Sequence, residues 1–141
     1  MPIISERDKA IIQQQMSTLK QPVRLINFTQ ELECEYCRDT SQLMLEVAQT
    51  SGSLRFEQYN FVTDKEMTEK YKIEQIPATV VMDDRDHGIK FYGIPSGYEF
   101  ATILDTIKMV SSGQSGLAKE TKDYLRTLTT PINLKVFVTP T

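Results

Sequence analysis

The chain contains two cysteines, Cys34 and Cys37, separated only by Glu35 and Tyr36. Two thiols at this spacing can exchange with a disulfide, supply half of a metal site, or close an inert local disulfide. Exchange needs one cysteine that is a thiolate at working pH and a second within reach to release the mixed disulfide. A helix start meets the first need, because its unpaired N–H groups and dipole favour negative charge. Such settings bring a free thiol from about 8.5 down to roughly 3.5–7.5. Cys34, nearer the mouth, is the expected nucleophile, and Cys37, one turn in, the expected resolving thiol. The carboxylate of Glu35 opposes thiolate formation and tunes the couple in the reducing direction. Tyr36 is expected at the rim, shaping access to Cys34.

The metal alternative is poorly supplied. Zinc takes four ligands, and beyond the two cysteines there is a single histidine, His87, in an expected turn at residues 84–88. A zinc site would need a second chain. No metal and no cofactor is expected, and His87 reads as a solvated turn residue.

The elements that must hold the pair follow from hydrophobic periodicity. Ser5-Glu6-Arg7-Asp8 opens a helix with Ile12, Met16 and Leu19 on one face, ended by Pro22. Val23 to Thr29 reads as a buried strand, and a polar connector leads to the cysteines. From about Cys34 the pattern is helical, with Leu43–Val47 and Met44–Ala48 as i, i+4 pairs, and Ser51-Gly52 ends it. Leu54 to Phe61 is a second strand. Thr63-Asp64-Lys65-Glu66 has the form of a capping box before a short helix. Ile76-Pro77 precedes a third strand, Thr79 to Asp83, and the turn carrying His87 leads to a fourth, Ile89 to Tyr92. Ser96-Gly97-Tyr98-Glu99 is a second capping-box pattern, followed by an amphipathic face of Phe100, Ile103, Leu104, Ile107 and Val110. The order α-β-α-β-α-β-β-α implies a parallel first pair and an antiparallel closing pair. The fold class is therefore α/β, a mixed four-stranded sheet with helices on both faces.

Composition narrows the partners. The 141 residues are 40% hydrophobic and 25% charged, with a net charge of −3. A chain of this size needs no disulfide staples to build a core. No basic stripe offers phosphates a positive face, so no nucleic acid is expected. No run approaches the roughly 20 apolar residues of a membrane helix. The first residues, Met1 to Glu6, lack the basic and apolar regions of a signal peptide, which makes a cytoplasmic location the expectation.

Residues 111–116 (SSGQSG) have linker composition. Beyond them, Leu117 to Leu128 looks helical, Pro131 breaks the pattern, and Leu134 to Val138 looks like a strand. This repeats the plan of residues 5–30, with LINFT at 25–29 and LKVFV at 134–138 in matching places. The expected organisation is a redox domain over 1–113, then a linker and the opening of a second unit over 114–141. A lone helix and strand cannot bury both faces, so homodimerisation through this tail is a further expectation.

Taken with the element order, Cys34-Glu35-Tyr36-Cys37 and Ile76-Pro77-Ala78-Thr79 resemble the thioredoxin-like superfamily. Together with Gly93-Ile94-Pro95-Ser96-Gly97-Tyr98-Glu99-Phe100 and the repeated tail, they resemble the glutaredoxin-like protein disulfide oxidoreductases, which have tandem thioredoxin-like units. The resemblance implies a cis-proline at Pro77 opposite the cysteines, with Ile76 and Pro77 contacting an extended substrate. It also implies protein disulfides as substrates and a reductase of the thioredoxin-reductase kind as partner. Residues 117–141 match the start of a second unit, whose own Cys-x-x-Cys is absent from this sequence. Thioredoxins bury an Asp and a Lys near the dithiol; the matching places here are Phe28 or Asn27, and Gln58. Glu57 is a candidate replacement, against the simpler reading of a solvated strand carboxylate. The stretch at 93–97 does not reproduce the pattern by which glutaredoxins hold glutathione. The reading is a thiol–disulfide oxidoreductase acting on protein disulfides, and its alternative a redox-inactive binding or dimerisation module of the same fold.

Overall fold

The computed structural model describes residues 1–139. Helix α1 (Glu6–Met16) is capped by Ser5, whose hydroxyl accepts the Asp8 N–H. Strand β1 (Val23–Thr29) leads to helix α2 (Cys37–Ala48), strand β2 (Leu54–Asn60) and helix α3 (Lys65–Lys70). Strands β3 (Ala78–Met82) and β4 (Lys90–Tyr92) follow, then helix α4 (Tyr98–Ser112) and helix α5 (Lys119–Arg126).

The four strands form one sheet in the order β2-β1-β3-β4, with β1 and β2 parallel and both other pairs antiparallel. Strands β1 and β3 are the central pair, which is why VRLINFT and ATVVM are nearly continuous apolar runs. Their side chains alternate between two cores. Val23, Leu25 and Val81 pack with Ile12 and Met16 of α1, Met44 and Val47 of α2, and Ile103 and Ile107 of α4. Ile26, Phe28 and Val80 pack on the other face with Tyr71 and Ile73, at and beyond the end of α3. The expected mixed sheet covered on both sides is the architecture found.

This topology gathers several loops at one end. Phe28 is in register with Ala78, and Ala78 with Tyr92. The carboxyl ends of β1 and β4 and the amino end of β3 therefore lie together, and the connectors carrying Cys34, Pro77 and Gly97 all leave the sheet there.

Several local expectations are corrected. Helix α2 begins at Cys37, not near Cys34, so the two cysteines straddle its start. Thr63 caps nothing: Asp64 holds the N-cap position of α3 without a side-chain cap bond. Its carboxylate accepts the Asn60 N–H instead, and Asn60 Oδ1 accepts from Val62 and Thr63 N–H. Ser96 does not cap α4 either. Gly97 is the N-cap at φ 62°, a conformation suited to glycine, and the Ser96 N–H turns back to the Ile94 carbonyl.

Ser111 belongs to α4 and not to a linker. It is buried, donates its hydroxyl to the Gln21 carbonyl at 2.8 Å and accepts the Gln21 N–H at 2.9 Å. The helix ends at Gly113, in the left-handed conformation. In the tail, α5 forms inside the expected helix, but Leu134–Val138 pairs with no strand among the described residues. A strand needs a neighbour to receive its N–H and C=O groups, and these residues are exposed instead, Val136 at 85% and Phe137 at 90%. Pro140 and Thr141 lie outside the described residues.

Candidate active site

Cys34 and Cys37 are joined as a disulfide with their Cα atoms 5.5 Å apart. Glu33, just before the pair, has φ 57°, and this left-handed turn folds the connector back onto the helix start. Cys34 is partly exposed, whereas Cys37, the first residue of α2, is only 1% exposed. Of the two sulfur-bearing residues, Cys34 is thus the more accessible. Tyr36 is the N-cap of α2 and provides no side-chain cap bond. The first-turn N–H groups are thus not consumed by a capping side chain, and can stabilise negative charge beside the pair.

Around the cysteines, Glu35 is exposed and Tyr36 is 49% exposed. The Ile76–Pro77 peptide is cis. Pro77 is buried and its carbonyl accepts the Gly93 N–H at 2.8 Å, while Ile76 is partly buried and precedes the ladder. The structure therefore brings Cys34, Glu35, Tyr36, Cys37, Ile76 and Pro77 to one end of the sheet. A cleft of about 420 Å³ opens beside Cys34, lined among others by Gln30, Arg38, Ser41, Gln42 and Gln58.

Glu57, the candidate tuning residue, is not brought to this end of the sheet with the cysteines. Its strand parity puts it on the α3 face, away from α2. There it takes two hydrogen bonds from Arg24, at 2.6 and 2.9 Å, and one from the Tyr59 hydroxyl. The Arg24 guanidinium holds the Glu57 carboxyl below its ordinary range, against the opposing effect of burial. His87 is also remote, in the loop after β3 at the far end from Pro77, where its ring Nε2 lies 2.9 Å from Asp83 Oδ1. Among the described residues, no cluster of three or more His, Cys, Asp or Glu side chains is arranged to hold a metal ion.

Two further features complete the site; the first escaped sequence reasoning, and the second was named there only as a place matching the buried Asp of thioredoxins. The first is an exposed apolar rim. Leu32 is 76% and Tyr98 85% exposed, and both lie with Tyr36 in the segments that meet at this end. Strand-and-helix periodicity has no term for such residues, since they lie in a connector and at a helix start. The second is a polar group beneath α2. Asn27 of β1 is fully buried. It accepts the Ser41 hydroxyl at 2.7 Å, and its amide donates to the Ala78 carbonyl at 3.3 Å and the Thr79 hydroxyl at 3.5 Å.

Comparison with known proteins agrees with this geometry. Residues 26–105 match the model of the thioredoxin domain family, described as "Thioredoxin domain". The match spans more than half of the sequence, and the chain belongs to that family. Among solved structures it is similar to a protein disulfide oxidoreductase from Aeropyrum pernix K1, with 26% identity and a TM-score of 0.81 over 88% of this chain and 55% of that one. It is also similar to the NTD_N/C domain of alkylhydroperoxide reductase AhpF from Enterococcus faecalis, at 23% identity and a TM-score of 0.78, covering 89% of this chain and 61% of that one. A thioredoxin from Halobacterium salinarum aligns over 67% of this chain and 79% of its own, with 17% identity and a TM-score of 0.53. The chain thus spans little more than half the length of the first two. No curated protein sequence gives a significant match.

The chain thus carries a Cys-x-x-Cys pair at disulfide distance on the fold of the thioredoxin domain family. No described helix is long and apolar enough to cross a membrane.

Proposed function

We propose that this chain reduces or exchanges protein disulfides in a reducing compartment such as the cytoplasm. The Cys34 thiolate attacks a substrate sulfur and expels one thiolate. Cys37 then attacks Cys34 sulfur, closing the Cys34–Cys37 bond and releasing the second substrate thiolate. The dithiol is oxidised by two electrons and the substrate disulfide is reduced to two thiols. The observation that carries this reading is the placement of an accessible Cys34 before the α2 start and a buried Cys37 within it.

Ile76 and Pro77 are proposed to receive the extended substrate backbone, and Tyr36 to border it. The apolar rim of Leu32, Tyr36 and Tyr98 favours polypeptide substrates over small thiols, because it offers large exposed side chains for a protein surface to cover. A reductase of the thioredoxin-reductase kind would restore the dithiol. The test is dithiothreitol-coupled reduction of insulin. The chain should support it, Cys34→Ser should abolish it, and Cys37→Ser should accumulate a mixed disulfide with substrate. Turnover persisting in Cys34→Ser would refute the reading.

For residues 114–141 we propose the opening of a second, similar unit, supported by the repeated helix–proline–apolar order and the exposed side chains of Leu134, Val136 and Phe137. Those exposed side chains favour association between copies of the chain. Light scattering on the chain and on residues 1–113 decides this: a dimer lost on truncation supports it, and the same oligomeric state in both rejects it.

A further inference from the structure

Cys37 must present its sulfur to Cys34 within a mixed disulfide, yet it is buried on a helix that touches the sheet through few polar contacts. Ser41 stands one turn further along α2, on the same helical face as Cys37. Its hydroxyl donates at 2.7 Å to Asn27 Oδ1. The other end of that amide donates to the carbonyl of Ala78, the residue directly after Pro77, and reaches the Thr79 hydroxyl. One side chain thus spans the helix that carries the cysteines and the strand that follows the proline. Asn27 is wholly buried, so each of these bonds would be costly to leave unmade.

We propose that Asn27 and Ser41 are positioning residues for the second, resolving half of the exchange. The bridge fixes the rotation of the first turns of α2 against β1 and β3, and with it the direction of the Cys37 sulfur. Cys34 precedes the helix and is not held this way, so its own attack on substrate is independent of the bridge. In the resolving step Cys37 loses its proton to solvent. Its thiolate forms the S–S bond with Cys34 as the Cys34–substrate S–S bond breaks, and the substrate thiolate leaves. Misalignment by a fraction of an ångström slows such an intramolecular attack strongly. The bridge is also neutral, so it adds no ionisable group to the step.

The inference rests on the dithiol-exchange reading, and one experiment separates the two. The reduced full chain is mixed with a symmetric nitroaromatic disulfide whose released thiolate is coloured. The first equivalent released reports Cys34, and the second reports Cys37. Absence of both phases in the parent would defeat the exchange reading itself. With both present, Ser41→Ala should slow the second phase about tenfold and leave the first within about twofold. Ser41→Thr keeps the hydroxyl, has the cleft beside it for the added methyl, and should restore the second phase. Asn27→Asp keeps the acceptor for Ser41 but loses the donor to Ala78; it should slow the second phase and make it pH-dependent in a way the parent is not. The inference is overturned if folded Ser41→Ala shows an unchanged second phase, if both phases slow equally, or if Ser41→Thr is no faster than Ser41→Ala.

Discussion

Arg24 and Glu57 form a two-pronged ion pair across β1 and β2 on the sheet face turned away from the cysteines. The pair therefore ties the two strands together on that face. Glu57→Gln should leave insulin reduction unchanged and cost about 1 kcal/mol in urea unfolding at neutral pH, since both side chains remain partly solvated. Arg24 depresses the folded-state pKa of Glu57. Its contribution is thus full above the unfolded glutamate value of about 4.3 and is lost as pH falls through the lowered folded value. The difference between parent and variant should shrink over that acid window. A large loss of turnover in Glu57→Gln would return the residue to the active site.

A second prediction concerns the loop before Pro77. The Tyr92 hydroxyl accepts the Glu74 N–H at 3.3 Å, tying that loop to the end of β4. Tyr92→Phe should raise KM for a protein disulfide by about threefold, the effect of one partly exposed hydrogen bond, with kcat little changed. A fall in kcat at constant KM would show that the loop does more than receive substrate.

The exposed carboxylate of Glu35 lies between the two cysteines. Removing its charge in Glu35→Gln favours the thiolate, and so the reduced form, which makes the couple more oxidising by about 15 mV. Equilibration against glutathione redox buffers measures this. A shift to more negative potential would contradict the assigned sign.

Glu46 tests the N-terminal arm. It is buried, accepts the N–H groups of Ile3 and Ile4 at 2.8 Å each, and takes a third bond from Gln42. Burial would raise its pKa, but these three donors together lower it. Glu46→Ala should cost about 2 kcal/mol and speed hydrogen exchange at Ile3 and Ile4 far more than in β1. Equal acceleration throughout would mean that the arm and core open as one.

The elements of the sheet were legible because their causes are local. VRLINFT and ATVVM are apolar on both parities, as strands covered on both faces must be, and the cysteines with Ile76-Pro77 announced the site. What was not legible depends on neighbours. Thr63 and Ser96 have the spelling of caps, but Asn60 and Gly97 settled those turns by their own bonds and backbone. Glu57 looked available until the Arg24 side chain, 33 residues away, claimed it. Asn27 was legible only as a match to a buried Asp and Ser41 not at all, and only the packing of α2 on β1 makes them partners. Leu134–Val138 has strand composition, but composition cannot supply the adjacent strand.

The two bonds between Ser111 and Gln21 close the chain into a ring running from just before β1 to the end of α4. Every sheet strand and both cysteines lie inside that ring, and the linker, α5 and the apolar tail lie outside it. A pull on the tail would meet this clasp before it reached any strand. Residues 114–141 thus leave the fold outside a closed loop of chain that holds the cysteine pair.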